Sequence, residues 1–406
     1  MKKAVNIIVL GIILAFSSCK KQDSLYEEYL VPNGRVYPAK ALNAEAHSGR
    51  ERVEIVWQNG TDPKVVKARI SWNNYTEWEE IDVTSDMDTI RKEIKPLKEN
   101  TYSFVIRTYD AKGNISVPVE ILGNVYGDFY ESALVNRTVK SVSYDNSANS
   151  IEIEWFGGSP SEAGMELEYT DADGHIRTMT VENMETTATV PDVKSGAPLY
   201  YATMFKPDSA AIDVFYAPKT MIPYWADITA HVLKNTVAPF ATQGEQIVEN
   251  RWFRAADWTA NAAAAANGNV DTNVSFLNGV LTLWGWSGLS PVTSIVNGKL
   301  YQTVELEAGE YRFDAFLFGN TQTGGNPRAY VVAASGNDLP DTNNVGHVAL
   351  ASTAVPPPPI ATNSNLQLSV DFVLSEKSNV SLGFVITCGA PTQVSFRKVE
   401  LWKLVK

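Results

Sequence analysis

Two tryptophans stand two residues apart, Trp284 and Trp286, and a loop dense in polar groups follows, with Asn320, Gln322, Asn326 and Arg328. On a strand, alternate residues share a face, which would set the two indoles ~6.6 Å apart along the chain. Flat aromatic faces stack on the apolar side of a pyranose, while amides and a guanidinium take its hydroxyls. These six residues are the candidate glycan site. The same spacing also suits a core, with both indoles buried and the loop merely solvated; the sequence leaves both readings open. Trp252 and Trp258, beside Arg251, Arg254 and Asp257, divide in the same way between core and a second stacking surface, with core favoured. Trp72 falls on the sandwich surface by alternation, and Trp78 at a sheet edge.

Hydrolytic chemistry has weaker support. A glycosidase needs two carboxylates ~5–9.5 Å apart, one of them in an apolar pocket that raises its pKa. Glu305 and Glu307 share a strand face, and Asp338 and Asp341 share a loop, but such pairs are common on solvated surfaces. No Gly-x-Ser-x-Gly, HExxH or Walker loop is present. The four histidines, His47, His175, His231 and His347, lie in different segments, which argues against a His-rich metal site. No catalytic residue and no cofactor is expected. A glycoside hydrolase with an unrecognised carboxylate pair is the alternative. A structural or adhesive protein would instead expose an apolar patch of more than a few hundred Å².

The 406 residues carry a net charge of −12. With no run of basic residues, nucleic acid is excluded as a partner, since phosphate contacts need clustered Lys and Arg. The chain opens Met1-Lys2-Lys3, is apolar from Ile7 to Phe16, and then reads Phe16-Ser17-Ser18-Cys19. The apolar run is about half of the ~20 residues that span a bilayer, so it reads as a cleaved signal. If Cys19 is modified, Cys388 has no partner and no disulfide is expected. Cys388 ends the alternating run Leu382, Phe384, Ile386, which makes it a small buried hydrophobe.

The elements that must position these groups are strands. Val53-x-Ile55-x-Trp57 is repeated as Ile151-x-Ile153-x-Trp155, and Tyr102 as Tyr200, both at an offset of 98 residues. Ile70-Ser71-Trp72 matches Leu167-Glu168-Tyr169 with a one-residue slip. Period-two alternation predicts a duplicated β-domain, with hairpin turns at Asp110–Asn114 and Asp171–Gly174. The segment 124–137 is an aromatic joint, and Pro218, Pro223 and Pro239 bracket a second connection. From about 240 the chain becomes amide-rich, with 15 asparagines. Residues 261–268 predict an Ala-rich loop or one helical turn. Alternation over Leu281–Trp284, Val304–Leu306, Tyr311–Leu317, Leu366–Leu374 and Val380–Ile386 predicts strands. A phase change between Phe396 and Val399 predicts a bulge.

These patterns resemble known families. Phe16-Ser17-Ser18-Cys19 resembles a bacterial lipobox with Phe16 where Leu is usual, which implies a mature chain beginning at acylated Cys19. Its charge would be −14, because Lys2 and Lys3 leave with the signal. An early-strand Trp with a late-strand Tyr resembles the fibronectin type III sandwich, in which the Tyr makes a tyrosine corner. The stretch Tyr301–Phe313, read as a hairpin, and the closing Val394–Trp402 strand resemble jelly-roll carbohydrate-binding modules. The fold class is thus all-β: two immunoglobulin or fibronectin type III-like sandwiches, then a jelly-roll β-sandwich. The divisions are a signal at 1–18, a tether at 19–34, sandwiches at 35–123 and 138–222, and a jelly roll at 240–406.

The whole, with Leu30–Pro38, Tyr126-Gly127-Asp128 and Glu168–Asp171, resembles Bacteroidota-type lipoproteins of polysaccharide-utilisation systems, a group of domains of unknown function. The resemblance implies outer-membrane anchoring through Cys19, poly- or oligosaccharide capture, and a neighbouring outer-membrane glycan importer. The sandwiches would act as a spacer. Lys20-Lys21 after Cys19 departs from the acidic residues usual in surface-exposed members, so the periplasmic face stays open beside the cell surface. A structural calcium ion is compatible with the jelly-roll resemblance, without assigned ligands.

Overall fold

A computed structural model describes residues 34, 37–248, 251–273, 277–285, 294–320, 328–357, 359–360, 364–389 and 391–406. The signal segment, Cys19 and most of the 19–34 tether lie outside the described residues. The chain is all-β, two fibronectin type III-like sandwiches followed by a jelly roll, and it divides into two compact units. Unit 1 runs to Leu134 and also takes in Lys206–Phe215; unit 2 comprises Val135–Phe205 and Tyr216–Lys406.

In unit 1 a three-stranded sheet (Leu42–Ser48, Val53–Gln58, Thr89–Ile94) faces a four-stranded one ordered Glu77–Asp82, Val65–Trp72, Asn100–Asp110, Val119–Val125. Alternation puts Val53, Ile55 and Trp57 inward against Ile70, Phe104 and Ile106, all at most 1 % exposed. The Tyr102 hydroxyl donates to Lys98 O at 3.0 Å, the tyrosine corner the sequence implies. Trp72 corrects the surface expectation. It is 7 % exposed and packs in this core, because Trp72 Nε1 donates to Glu77 Oε2 at 2.7 Å and so satisfies its one polar atom. Trp78 is exposed, with the Arg69 guanidinium 4.5 Å from its ring centroid.

The joint aromatics Tyr126 and Tyr130 pack on each other and edge-on to Phe215 within unit 1. Beside them Asp213 accepts from Arg52 Nε (2.9 Å) and Nη2 (2.6 Å) and from Arg50 N (2.8 Å). A Cβ at Gly49 would lie 2.7 Å from Asp213 Oδ2, so this approach needs glycine there. The Arg52 hydrogen bond holds the Asp213 carboxyl below its usual range. A lowered folded pKa stabilises above the unfolded value of ~3.9 and is lost as pH falls through the folded one. Asp213→Asn is expected to cost on the order of 1 kcal/mol at pH 7. Thermal melts should show its deficit shrinking below about pH 4; a deficit that persists in strong acid counts against the pairing.

In unit 2 the second sandwich repeats the plan. Val139–Asp145, Ser150–Trp155 and Thr187–Val190 form one sheet. Ile176–Glu182, Glu162–Thr170, Tyr200–Phe205 and the short strands after it form the other. Trp155, 1 % exposed, fills the place of Trp57. The Tyr102–Tyr200 equivalence does not hold in the ladders, where Tyr201 opposite Leu167 stands in the place of Ile106 opposite Ile70. Tyr201 points inward, 6 % exposed, with its hydroxyl on Arg137 O at 2.8 Å, while Tyr200 is half-buried on the other face. Arg137 is buried, with Nε on Glu162 Oε2 at 2.7 Å and its Nη atoms on Asn183 and Glu185.

The jelly roll has two sheets. The larger is ordered Thr242–Val248, Trp252–Ala255, Val270–Asp271, Leu281–Gly285, Thr392–Val405, Gly309–Asn320, Leu366–Leu374. The smaller is Thr259–Ala260, Ile295–Leu306, Ser378–Cys388, Arg328–Ser335, Ala351–Ala354. Tyr301–Phe313 is an arch and not a hairpin: Ile295–Leu306 pairs in the smaller sheet and Gly309–Asn320 in the larger. Both strands turn apolar residues into one core, from its two opposite sheets. Cys388, 5 % exposed, joins that core, and the predicted bulge is the register shift opposite Phe316–Leu317. Asn261 caps a helical turn at Ala262–Ala265.

The connection after the second sandwich is itself structure. Tyr224–Asp227 pairs with Thr392–Val405, Ile228 N donates to Leu401 O, and Val237 bridges Lys398. Tyr224 stays in the sandwich core. Its hydroxyl donates to Ala197 O at 2.6 Å, and burial pushes its phenol up to about 12.

Candidate functional site

Of the six predicted residues the structure describes three, Trp284, Asn320 and Arg328, and they do not form an exposed cluster. Trp284 is 6 % exposed and stacks on Trp252 at 4.3 Å between centroids, in a small core with Val248, Leu277, Val280 and Phe318. The Trp252 ring and the apolar side chains of this cluster cover it, so it presents no platform. Trp252 and Trp258 are buried too. Asn320 is fully buried, its Nδ2 donating to Pro356 O at 2.9 Å and its backbone pairing with Ile360. Arg328 is exposed at the start of a strand in the other sheet. Trp286, Gln322 and Asn326 lie outside the described residues.

The carboxylate pairs are ordinary ion pairs. Lys377 Nζ reaches Glu305 (2.7 Å) and Glu307 (3.1 Å), and Lys299 Nζ reaches Asp338 (2.9 Å) and Asp341 (3.2 Å). Among the described residues no three His, Cys, Asp or Glu side chains converge as metal ligands.

Each jelly-roll sheet has one face in the shared core, so a site has two outer faces to choose from. That of the smaller sheet is capped by a second apolar cluster, Tyr301, Val332, Leu339, Val345 and Val385. Among the described residues, the apolar cluster on that of the larger sheet lies at the Trp252–Trp284 end. The rest, built on Gly309–Asn320, Leu366–Leu374 and Thr392–Val405, carries polar and aromatic side chains.

Register places them in rungs. Phe316 lies between Gln367 and Lys398, Asp314 between Ser369 and Glu400, Arg312 between Asp371 and Trp402. Successive rungs are ~6.6 Å apart. Arg312 holds Asp371 through both carboxylate oxygens at 2.7 and 3.1 Å, and its Cζ lies 4.8 Å from the Trp225 ring centroid. The Asp371 hydrogen bond raises the guanidinium's pKa, and the charges of Asp371 and Asp314 act in the same direction. Lys398 pairs with Glu400 and sits over the Phe316 ring at 5.6 Å.

Among the described residues of these three strands, Asp314 Oδ1, Asn320 Oδ1, Arg397 Nε and Trp402 Nε1 lack hydrogen-bond partners, and Asp314 and Trp402 stand closest together in the polar rungs. Asp314 is 2 % exposed and its Oδ1 accepts no hydrogen bond; Trp402 is half-buried and its Nε1 donates none. They belong to diagonal neighbours of the sheet, ~7–8 Å apart at Cα. Buried polar atoms without partners are uncommon, and each costs about 1–3 kcal/mol. A hydroxyl donates and accepts at once, so one hydroxyl-bearing ligand can satisfy both the indole and the carboxylate once the side chains that close both atoms to solvent shift aside. Trp225, Trp402 and Phe316, all half-buried, supply ring faces alongside.

Sequence reasoning missed this face because its residues are dispersed over four strands. The signal was present in the polar phase of the alternation. Arg312, Asp314 and Phe316 occupy the outward positions of a strand whose inward ones are Tyr311, Phe313 and Ala315.

Residues 19–215 match a family described as a domain of unknown function (DUF4998), and residues 234–383 match another domain of unknown function, DUF5013. No curated protein matches. Among solved structures, the chain is similar to a two-domain fibronectin type III segment of chicken tenascin, at 13 % identity and a TM-score of 0.20, covering 45 % of this chain and 98 % of that one. It is similar to the FN1–FN3 domains of chicken CNTN1 at 14 % and 0.28, over 46 % and 64 %. It is also similar to TmCBM61, solved with β-1,4-galactotriose, at 15 % and 0.27, over 39 % and 99 %.

Proposed function

We propose that this chain is a lipid-anchored protein of the outer membrane that captures a glycan, without catalysis, on the outer face of the larger jelly-roll sheet. It serves a polysaccharide-utilisation system, holding polymer near hydrolases and an importer, with the sandwiches as spacer. The observation that carries the glycan reading is the unpartnered pair Asp314 Oδ1 and Trp402 Nε1 among half-buried rings. Lys398 with Glu400 and Arg312 with Asp371 are paired internally, and Asp314 also acts on Arg312, so the charges of this face are answered from within it. A neutral polysaccharide therefore fits better than a uronate or a sulfated chain.

The anchor rests on Lys2, Lys3, the apolar run and Phe16-Ser17-Ser18-Cys19. Each buried acyl methylene contributes ~0.8 kcal/mol, so two or three chains hold firmly. Cys19→Ala is expected to abolish incorporation of labelled palmitate and to move the protein from the membrane pellet to the soluble fraction; continued labelling overturns the anchor. The Cys19→Ala protein, run through affinity gels with neutral and anionic polysaccharides, tests the ligand. Retardation by a neutral polymer is expected, and retardation by anionic polymers alone overturns the reading.

A further inference from the structure

The outer face does not stop at its last rung. Glu310 lies opposite Val373, and Leu404 opposite Trp225, one step beyond Arg312. There the surface opens into a cleft of about 640 Å³, whose far wall comes from the second sandwich: Gly196, Pro198, Tyr200 and Met221. Clefts of roughly 300–1,000 Å³ are the size that holds small organic ligands. Both walls belong to unit 2, and the strand Tyr224–Asp227 ties them, with Tyr224 in the sandwich core and its backbone paired to Thr392–Val405.

We propose that the second sandwich is a wall of the glycan site as well as a spacer, and that a neutral polysaccharide chain crossing the outer face runs on into this cleft against Tyr200 and Met221. This rests on the outer-face reading above. Three features of the cleft point to this occupant. It adjoins the proposed site at the Glu310–Val373 pair, one rung past Arg312. Its acidic group is already paired, Glu310 with Lys406, and Lys403 Nζ lies 5.9 Å from the Tyr311 ring centroid. Its apolar surface includes a half-buried Tyr200 ring with Lys219 Nζ 5.2 Å from its centroid, which suits stacking on a sugar more than binding of an ion.

The wall also accounts for the exception in the repeat. Tyr102 is spent on its tyrosine corner, whereas Tyr200, opposite Glu168, faces outward. Val373, 65 % exposed on the opposite wall, is an apolar side chain left in water that a pyranose face would cover.

The test is calorimetric titration of the full chain with cello-, xylo-, manno- and β-1,4-galacto-oligosaccharides, from dimers to octamers. The wild type is compared with Tyr200→Ala, Tyr200→Phe and Trp402→Ala, each checked for folding by its melting curve. Affinity for the preferred series is expected to keep rising at lengths beyond those that fill the outer face. Tyr200→Ala is expected to cost long oligomers about tenfold, ~1.4 kcal/mol, and to leave short ones unchanged; Tyr200→Phe, which keeps the ring, retains the gain. If Trp402→Ala weakens binding while Tyr200→Ala changes nothing at any length, the wall is overturned and the outer face stands. If neither variant changes affinity, or no series binds, both are overturned.

Discussion

Trp402→Ala is expected to remove most glycan binding. The substitution takes away a half-buried ring from the middle of the outer face and, with it, the indole N–H that no protein atom accepts. Losing the apolar contact of one aromatic side chain is worth ~2 kcal/mol, and the lost N–H bond adds ~1 kcal/mol. Together they predict a fall in affinity of about a hundredfold. Trp402→Phe separates the two parts: it keeps a stacking face and loses only the donor, for a loss of about fivefold to tenfold. Affinity electrophoresis with the polymer that retards the wild type measures both. Unchanged mobility shift in Trp402→Ala protein whose melting curve is intact would place the site elsewhere.

Arg137→Met carries the largest expected cost in stability. Arg137 and Glu162 have side chains 1 % and 9 % exposed, and their Nε–Oε2 contact is 2.7 Å. The two Nη atoms spend their protons on Glu185 O, Asn183 O and Asn183 Oδ1. Methionine fills the volume but strands the Glu162 carboxylate in the sandwich, which costs roughly 3–5 kcal/mol. For a unit of this size that lowers the melting temperature by on the order of 10 °C. Arg137→Lys should recover only part of the loss, because an ammonium cannot copy the planar fork. Gly158→Ala should act through the same group, since its Cβ would fall 2.1 Å from Arg137 Nη2. Calorimetric melts of the three proteins check this; a wild-type melting curve for Arg137→Met shows that the pair holds nothing together.

Period-two patterning and the 98-residue offset were enough to read two sandwiches and to place Trp57 and Trp155 at their centres, because burial on one face of a strand leaves that mark in sequence. What patterning does not carry is partner choice. The Tyr301–Phe313 stretch alternates as well in an arch as in a hairpin, and only the pairing with Ser378–Cys388 and with Leu366–Leu374 separates the two. Tyr200 and Tyr201 are adjacent aromatics on opposite faces of their strand, and the sequence match does not say which of them points inward. The Trp284 platform failed for a related reason. Two indoles on one strand face share a side, but whether neighbouring strands cover that side is a tertiary matter, settled here by Trp252. Trp402, Asp314 and Arg312 were each visible as outward residues. Their meeting on one surface needed the order of the sheet.

The strand Thr392–Val405 holds together pieces from far apart: Leu281–Gly285, Gly309–Asn320 and the stretch from Tyr224 onward all hydrogen-bond to it. It also arrives late, about 150 residues after Thr242, the first strand that follows the connection. Under the export reading the chain crosses a membrane before it folds, so the earlier jelly-roll strands wait on the far side for their central partner. Their unpaired edges and apolar faces invite aggregation through that interval. The exported chain is therefore expected to be a client of holding chaperones until this strand has crossed.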